Sequence, residues 1–418
     1  MFNNFSKKKA IFRDKNILQL VKKYSSPLWI YDSNIMLENI KKLYQFDKIR
    51  FAQKSCSNIH ILSLFRKNGL KIDAVSLGEI ERGLISGYSA VNQGIVFTAD
   101  VIDRKTLDTV KKHNITVNIG SINMLEQIGK VSPGHHIWLR INPKFGSGYS
   151  KKTNTGGDNS KHGIWDISQA IPFIKKYNLK LIGLHMHIGS GANYRCLERV
   201  CQEMIEQVVY LNYDIKMISA GGGLPIPYKL NENHFDINKY FILWNKVRNE
   251  ISNYLNHSVQ LEIEPGRFLV AESGILVSEI RSIKSTSSKF FVLVDAGFND
   301  LVRPAMYGSY HYISVISGDG RIIDKDDTVE TVVGGPLCES GDVFTQNENG
   351  DIETRMLPKV KIGDYLVFHD TGAYGASMSS NYNSRFLIPE ILFEQGVFRM
   401  IRRRQTIQEL LKLEIDCI

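Results

Sequence analysis

Phe51-Ala52-Gln53-Lys54-Ser55 closes the first of a series of short apolar runs. It reads as a buried strand over Ile49 to Ala52 that delivers a lysine just where the strand stops. An ammonium group is seldom set against apolar strand residues without a purpose. A desolvated lysine loses its proton more easily and becomes a nucleophile able to form a Schiff base. A surface lysine after a strand is the plainer reading. The residues on either side decide between the two.

Upstream, residues 1 to 26 are polar, with a short helical piece around Ile17 to Tyr24, and Pro27 to Asp32 (PLWIYD) reads as a compact strand. Downstream, apolar runs alternate with helix-like segments. Including the first, the runs lie at Arg50 to Gln53, Ile72 to Val75, Ile95 to Thr98, Thr116 to Ile119, Ile137 to Ile141, Leu181 to His187, Lys216 to Ser219 and Val259 to Glu264. Helical candidates between them include Ile59 to Lys67, Leu77 to Ser86, Met124 to Lys130, Leu197 to Leu211 and Ile237 to Tyr254. Eight strands in this rhythm predict a parallel (β/α)8 barrel of the TIM type. Lys54, Ser76, Asn142, His185, His187, Gly221 to Gly223 and Glu264 fall at or just after strand ends, where such barrels carry their active sites. The long connection Pro143 to His162 reads as a mobile loop near that site. After Glu264 the rhythm changes. Ala271 to Lys284, Phe290 to Val294, Tyr310 to Ile316, Thr328 to Val333, Tyr365 to His369 and Gly396 to Arg399 read as strands, with a helix at Thr406 to Leu413. They predict a C-terminal β domain, a sandwich or small barrel.

A chain of 418 residues has room for a barrel and one appended domain. The formal charge of +9 raises the question of nucleic acid. The tight basic runs are Lys7 to Lys9 and Arg402 to Arg404, and no aromatic stacking motif accompanies them, so no nucleic-acid partner is expected. Five scattered cysteines, odd in number, argue against a disulfide framework and for a reducing compartment. No apolar run approaches a membrane span and the start lacks a signal-peptide pattern, so a cytoplasmic protein without membrane contact is expected.

Several short motifs carry chemistry. Ala220-Gly221-Gly222-Gly223-Leu224 follows a strand and lets backbone N–H groups approach an anion such as a phosphate. A flexible turn is the plain alternative, and a nucleotide P-loop is disfavoured because no Lys-Ser/Thr follows. In Leu261-Glu262-Ile263-Glu264-Pro265-Gly266-Arg267 the alternation puts Glu262 and Glu264 on one face. A carboxylate at the strand end can hold a proton on a ring nitrogen, and Gly266 with Arg267 can reach a phosphate or carboxylate. An ordinary salt bridge is the alternative. His185-Met186-His187 offers two imidazoles on one face, suited to zinc, to stacking on an aromatic cofactor, or to a satisfied core; no cysteine or HExxH helix completes a zinc site. Cys338-Glu339 pairs a thiol with a carboxylate in a turn, against the default of an inert buried cysteine. Tyr374 lies in a second turn, and Arg303 with Tyr307 suits a carboxylate, against a surface ion pair.

Taken together, FAQKS, HMHIGSG, GGGLPIPY, EPGRF, GPLCESGD and DTGAYGASMSSNYN stand in an order that closely resembles the diaminopimelate decarboxylases, in the alanine-racemase-like (fold type III) class of pyridoxal-phosphate enzymes. The resemblance runs from about Leu28 to Ile407, with motifs in both halves; Pro225 stands where many members have a glycine. It implies a cofactor-binding barrel over residues 34–274 and a β domain from 1–33 and 275–418. It implies that Lys54 carries pyridoxal 5'-phosphate, that His187 stacks on its ring and that Glu264 pairs with the ring nitrogen. Ser190, Gly222, Gly223, Gly266 and Arg267 would surround the phosphate or substrate, with Tyr374 nearby. Arg267, Arg303, Tyr307 and Glu339 would grip the substrate, and Cys338 would protonate the carbanion left after decarboxylation as general acid. Cys338 and Glu339 would serve the partner subunit's site, which implies a homodimer. The expected reaction is decarboxylation of meso-2,6-diaminopimelate to L-lysine and carbon dioxide, with no metal. An ornithine or arginine decarboxylase is disfavoured by groups suited to a distal carboxylate. A non-catalytic cofactor carrier would not need Cys338-Glu339.

Overall fold

The computed structural model describes residues 12–148, 151–191 and 194–417. The basic run Lys7 to Lys9 lies outside them. Two compact units emerge. One comprises Asn39–Pro225 and His234–Leu269; the other comprises residues up to Glu38, Ile226–Asn233 and the chain from Val270 onward.

In the second unit, strand β1 (Leu28–Asp32) comes first in the chain. The first unit then supplies β2 (Lys48–Ala52), β3 (Lys71–Ala74), β4 (Ile95–Ala99), β5 (Thr116–Ile119), β6 (His136–Ile141), β7 (Lys180–Met186), β8 (Met217–Ser219) and β9 (Gln260–Ile263), which close into one barrel. Every neighbouring pair is parallel, and β9 returns to β2 through Lys48↔Glu262 and Ile49↔Ile263. The eight expected runs are these eight strands, with ends shifted by one or two residues.

The alternation along each strand explains the closure. Ile49 and Phe51, Ile72 and Ala74, and Leu261 and Ile263 form an apolar outer face, each 8% exposed or less, against the helices. The intervening residues point to the axis and are largely polar. Arg50 on β2 meets Glu262 on β9 through two bonds, Nε to Oε1 at 2.7 Å and Nη2 to Oε2 at 2.8 Å. Its Nη1 donates to the carbonyls of Ile72 and Gln93. A charge with no contact to water is tolerated only when so fully partnered. The helices start where side chains can satisfy their first amides. Asn58, Ser76, Asp103, Ser121 and Asp236 each accept an N–H at the start of their helix.

The second unit is a nine-stranded mixed sheet. Its further strands are β10 (Gly274–Ser285), β11 (Phe290–Val294), β12 (Ile313–Ile316), β13 (Thr328–Gly334), β14 (Arg355–Pro358), β15 (Tyr365–Phe368), β16 (Glu390–Glu394) and β17 (Val397–Arg402). The order is β14-β13-β11-β10-β1-β16-β17, with β15 pairing both β10 and β12. β1 therefore sits inside this sheet, antiparallel to β10 and parallel to β16. Helix Asp14–Tyr24 packs Ile17, Leu20 and Val21 against Leu28, Ile30, Ile275 and Ile391 in one apolar cluster. The sequence reading missed β14 and β16, whose charged ends and short spans carry little periodic signal. Among the described residues no helix is long and apolar enough to cross a membrane.

Candidate active site

The C-terminal ends of the barrel strands bring the first group of expected residues together. Lys54 lies in the one-turn helix Gln53–Ser55, directly after β2. Its side chain is exposed, not buried against the strand. The reason is local: Lys54 lies in the turn after the strand, not in the strand itself. Gly266 approaches this turn so closely that a Cβ there would stand 3.1 Å from Ser55 Oγ and 3.2 Å from the Ala52 carbonyl oxygen. The Ala52 N–H also donates to the Pro265 carbonyl at 3.1 Å. The lysine turn and the EPGRF segment thus brace one another.

Glu264 follows β9 by one residue and is 9% exposed. His185 Nε2 lies 2.9 Å from its Oε2, and Ser219 Oγ donates to its Oε1 at 2.9 Å. A carboxylate only accepts, so His185 carries its proton on Nε2. Burial by itself pushes the Glu264 pKa up; the charge and hydrogen bond of His185, the Arg50 charge and the Ser219 bond outweigh it and hold the group below the usual carboxylate range. The two glutamates on one face therefore differ. Glu262 belongs to a closed structural pair with Arg50, whereas Glu264 stands above it at the mouth.

His187 lies one residue past β7 and is half-buried. Burial lowers its pKa well below the ordinary value, and the nearby charges of Arg140 and Lys54 act in the same direction. Its ring is a flat neutral surface. The glycine triplet sits beside it: a Cβ on Gly223 would lie 3.1 Å from His187 Cε1 and 2.1 Å from the Gly189 carbonyl oxygen. Gly223 also has φ +90°, which side chains rarely adopt. A Cβ on Gly222 would stand 2.4 Å from the Glu264 carbonyl oxygen. Ser190 is half-buried just beyond Gly189, and Arg267 is 8% exposed at the start of helix Arg267–Val270.

The described part of the loop Pro143–His162 packs against the same place. Ser147 and Thr155 both donate backbone N–H groups to the Ile188 carbonyl at 3.1 Å, and Thr155 Oγ1 donates to the His187 carbonyl at 2.9 Å. The Arg199 guanidinium stacks on Phe145 at 3.9 Å, and His162 Nδ1 contacts Asp100.

Two charged residues at this mouth were not singled out from sequence. Asp73 on β3 is buried, its Oδ1 has no hydrogen-bond partner, and burial followed by the Glu264 charge raises its pKa well above the ordinary value. The Lys54 charge acts the other way. Arg140 on β6 is 8% exposed, with burial lowering its pKa and the charges of Asp100, Glu264 and Asp73 raising it. The available signal was a charged residue at the inward parity of a short strand whose other face is apolar, Asp73 in KIDA and Arg140 in HIWLRI.

The second unit holds the remaining candidates. Arg303 is 5% exposed and opens helix Arg303–Tyr307, so that Tyr307, four residues on, shares its face. Tyr374 is half-buried with φ +58°. Cys338 and Glu339 lie on an exposed turn, where the Cys338 N–H donates to Asn383 Oδ1 at 2.9 Å.

Comparisons with known proteins bear on this arrangement. The family model of the pyridoxal-dependent decarboxylases, pyridoxal-binding domain, matches residues 34–271. A diaminopimelate decarboxylase of Buchnera aphidicola subsp. Baizongia pistaciae is 68% identical over 413 residues, covering 99% of each chain. A crystal structure of a diaminopimelate decarboxylase superposes with a TM-score of 0.95 at 59% identity, covering 98% of both chains. The Helicobacter pylori diaminopimelate decarboxylase complexed with L-lysine superposes with a TM-score of 0.83 at 29% identity, covering 96% of this chain and all of that one, 100%.

Proposed function

The chain belongs to the diaminopimelate decarboxylase family of pyridoxal-dependent decarboxylases, and on that premise we infer that it converts meso-2,6-diaminopimelate to L-lysine and carbon dioxide, the last step of lysine biosynthesis. The observation that carries this reading is a lysine and a buried ionised carboxylate at one barrel mouth, Lys54 and Glu264.

The residues present fit pyridoxal phosphate. The two Glu264 oxygens each hold one hydrogen bond and keep a further lone pair. Glycine at 222 and 223 lets the backbone pass close to the Glu264 and Gly189 carbonyl oxygens, where a Cβ would collide, beside the His187 ring. Held there, pyridoxal phosphate would supply the electron sink for the pair left when carbon dioxide departs.

The chain's own residues do the rest. Lys54 would hold the cofactor. Glu264, kept ionised by its neighbours, would favour a proton on the cofactor's ring nitrogen. His187 offers its neutral face to the ring. Ser190, Gly222, Gly223, Gly266 and Arg267 bind the phosphate or the substrate, with Tyr374 near the cofactor. Arg303 and Tyr307 hold the distal carboxylate, and Glu339 takes the distal ammonium. Cys338 delivers a proton to the α-carbon after carbon dioxide has left. The barrel unit forms the cofactor-binding module, and the second unit forms the domain that completes the site across a homodimer in the cytoplasm. The exposure of Cys338 and Glu339 supports that sharing.

The test is lysine release from meso-diaminopimelate, with and without added pyridoxal phosphate, beside ornithine and arginine. Cofactor-dependent lysine with silent controls is expected. Turnover of a control instead would overturn the assignment of Arg303. Mixing Lys54→Ala chains with Cys338→Ala chains should restore part of the activity, because one site of a mixed dimer is then intact. No recovery would refute the shared site.

A further inference from the structure

Arg303 is a nearly fully buried guanidinium, and such a group is useful only if its direction is fixed. Its Nη1 lies 3.0 Å from His311 Nε2, and its plane lies over the Tyr228 ring at 4.9 Å. Both contacts orient the guanidinium. A guanidinium only donates, so His311 Nε2 is the acceptor and the ring proton sits on Nδ1. His311 Nδ1 donates in turn to the His369 carbonyl at 2.9 Å. His311 is 4% exposed and meets Tyr228 edge-on, with ring centres 5.5 Å apart.

The His369 side chain is held as well, with Nε2 2.8 Å from Ser314 Oγ. His369 directly follows β15 and precedes the turn that carries Tyr374. One imidazole therefore links Arg303 to the backbone at the root of that turn, with a single tautomer satisfying both ends. A carboxylate gripped by two parallel N–H groups is sensitive to small rotations of the fork.

We propose that His311 is a positioning residue for substrate selection, holding Arg303 at the angle from which it receives the distal carboxylate. This rests on the reading of Arg303 given above. On this reading His311 acts through Arg303.

The test compares His311→Asn with His311→Gln in the holoenzyme. Asn retains a polar group near Nδ1 but falls short of Arg303; Gln carries an oxygen out to the position of Nε2. His311→Asn should raise KM for meso-diaminopimelate roughly tenfold, the loss of one hydrogen bond to a charged group, with kcat within about threefold. His311→Gln should keep KM within about threefold of the parent. Inhibition by L-lysine, which retains the distal carboxylate, should weaken in step with KM. Inhibition by 1,5-diaminopentane, which lacks it, should not change.

Equal loss in both variants, or equal weakening of both inhibitors, would mean a merely structural histidine and would overturn the proposal. Arg303→Ala serves as control. If it raises KM and His311→Asn does not, the inference alone has failed. If Arg303→Ala leaves KM unchanged, the reading of Arg303 has failed first. Should His311→Asn not fold, a more than tenfold weakening of L-lysine in a folded His311→Gln still decides against the proposal, and unchanged binding supports it.

Discussion

Replacing His185 with leucine should move the acid limb of kcat to higher pH. His185 donates from Nε2 to Glu264 at 2.9 Å, and its contributions head those that hold the carboxylate ionised against burial. A hydrogen bond to a charged group contributes about 1.5–3 kcal/mol, and 1.36 kcal/mol corresponds to one pH unit in a titration. Deleting it should therefore raise the midpoint of the acid limb by about 1 to 2 pH units. The sign follows from the direction of the shift. Glu264 is depressed in the folded enzyme, so its ionised form persists to low pH; without His185 it protonates sooner, and the ring nitrogen loses its anionic partner as the pH falls. Ser219→Ala removes the bond at the other oxygen and should act in the same direction, more weakly. The assay is kcat against pH for parent and variants, with holoenzyme absorbance followed over the same range. A His185→Leu enzyme whose acid limb coincides with the parent's would refute the assignment of Glu264 as the group that must stay ionised.

Three further outcomes are expected. Glu262→Gln leaves the Arg50 guanidinium buried opposite a neutral amide, and should cost about 3–5 kcal/mol in chemical denaturation; Arg50→Met with Glu262→Leu should lose much less. Gly223→Ala would set its Cβ 2.1 Å from the Gly189 carbonyl oxygen in a φ +90° backbone, so retained pyridoxal phosphate should fall sharply after dialysis while the second unit's sheet still melts normally. Cys338→Ala alters an exposed turn, so the melting temperature should not change, while kcat drops by about 100-fold or more as a general acid is lost; parental kcat would exclude Cys338 from proton delivery.

The relation between reading and structure differs from element to element. The barrel was legible because short apolar runs recurred between helical segments, and the strand period places alternate residues on one face. That same period paired Glu262 with Glu264 correctly but could not distinguish them. Only the closure of β9 onto β2 puts Arg50 against Glu262 and leaves Glu264 with His185 and Ser219. Lys54 was located correctly and its surroundings were not: it lies exposed in a one-turn helix after β2, and a strand pattern contains no signal for that turn. Asp73 and Arg140 passed unremarked because a charged residue near the end of a four- to six-residue strand reads as a strand end until the barrel axis is known.

By itself, then, the sequence determined the alternation of strand and helix, the order of the motifs, and through them the family and its chemistry. These are local properties, written in residue type and spacing along the chain. The tertiary structure alone decided which charges face one another. It closed Arg50 on Glu262, aimed His185 at Glu264, moved Ile226–Asn233 into the second unit and set Arg303 between Tyr228 and His311. Such contacts join residues separated by 8 to 212 positions, and no periodicity links their ends. Electrostatic energies depend on distance and burial in space, and those exist only once the chain has folded.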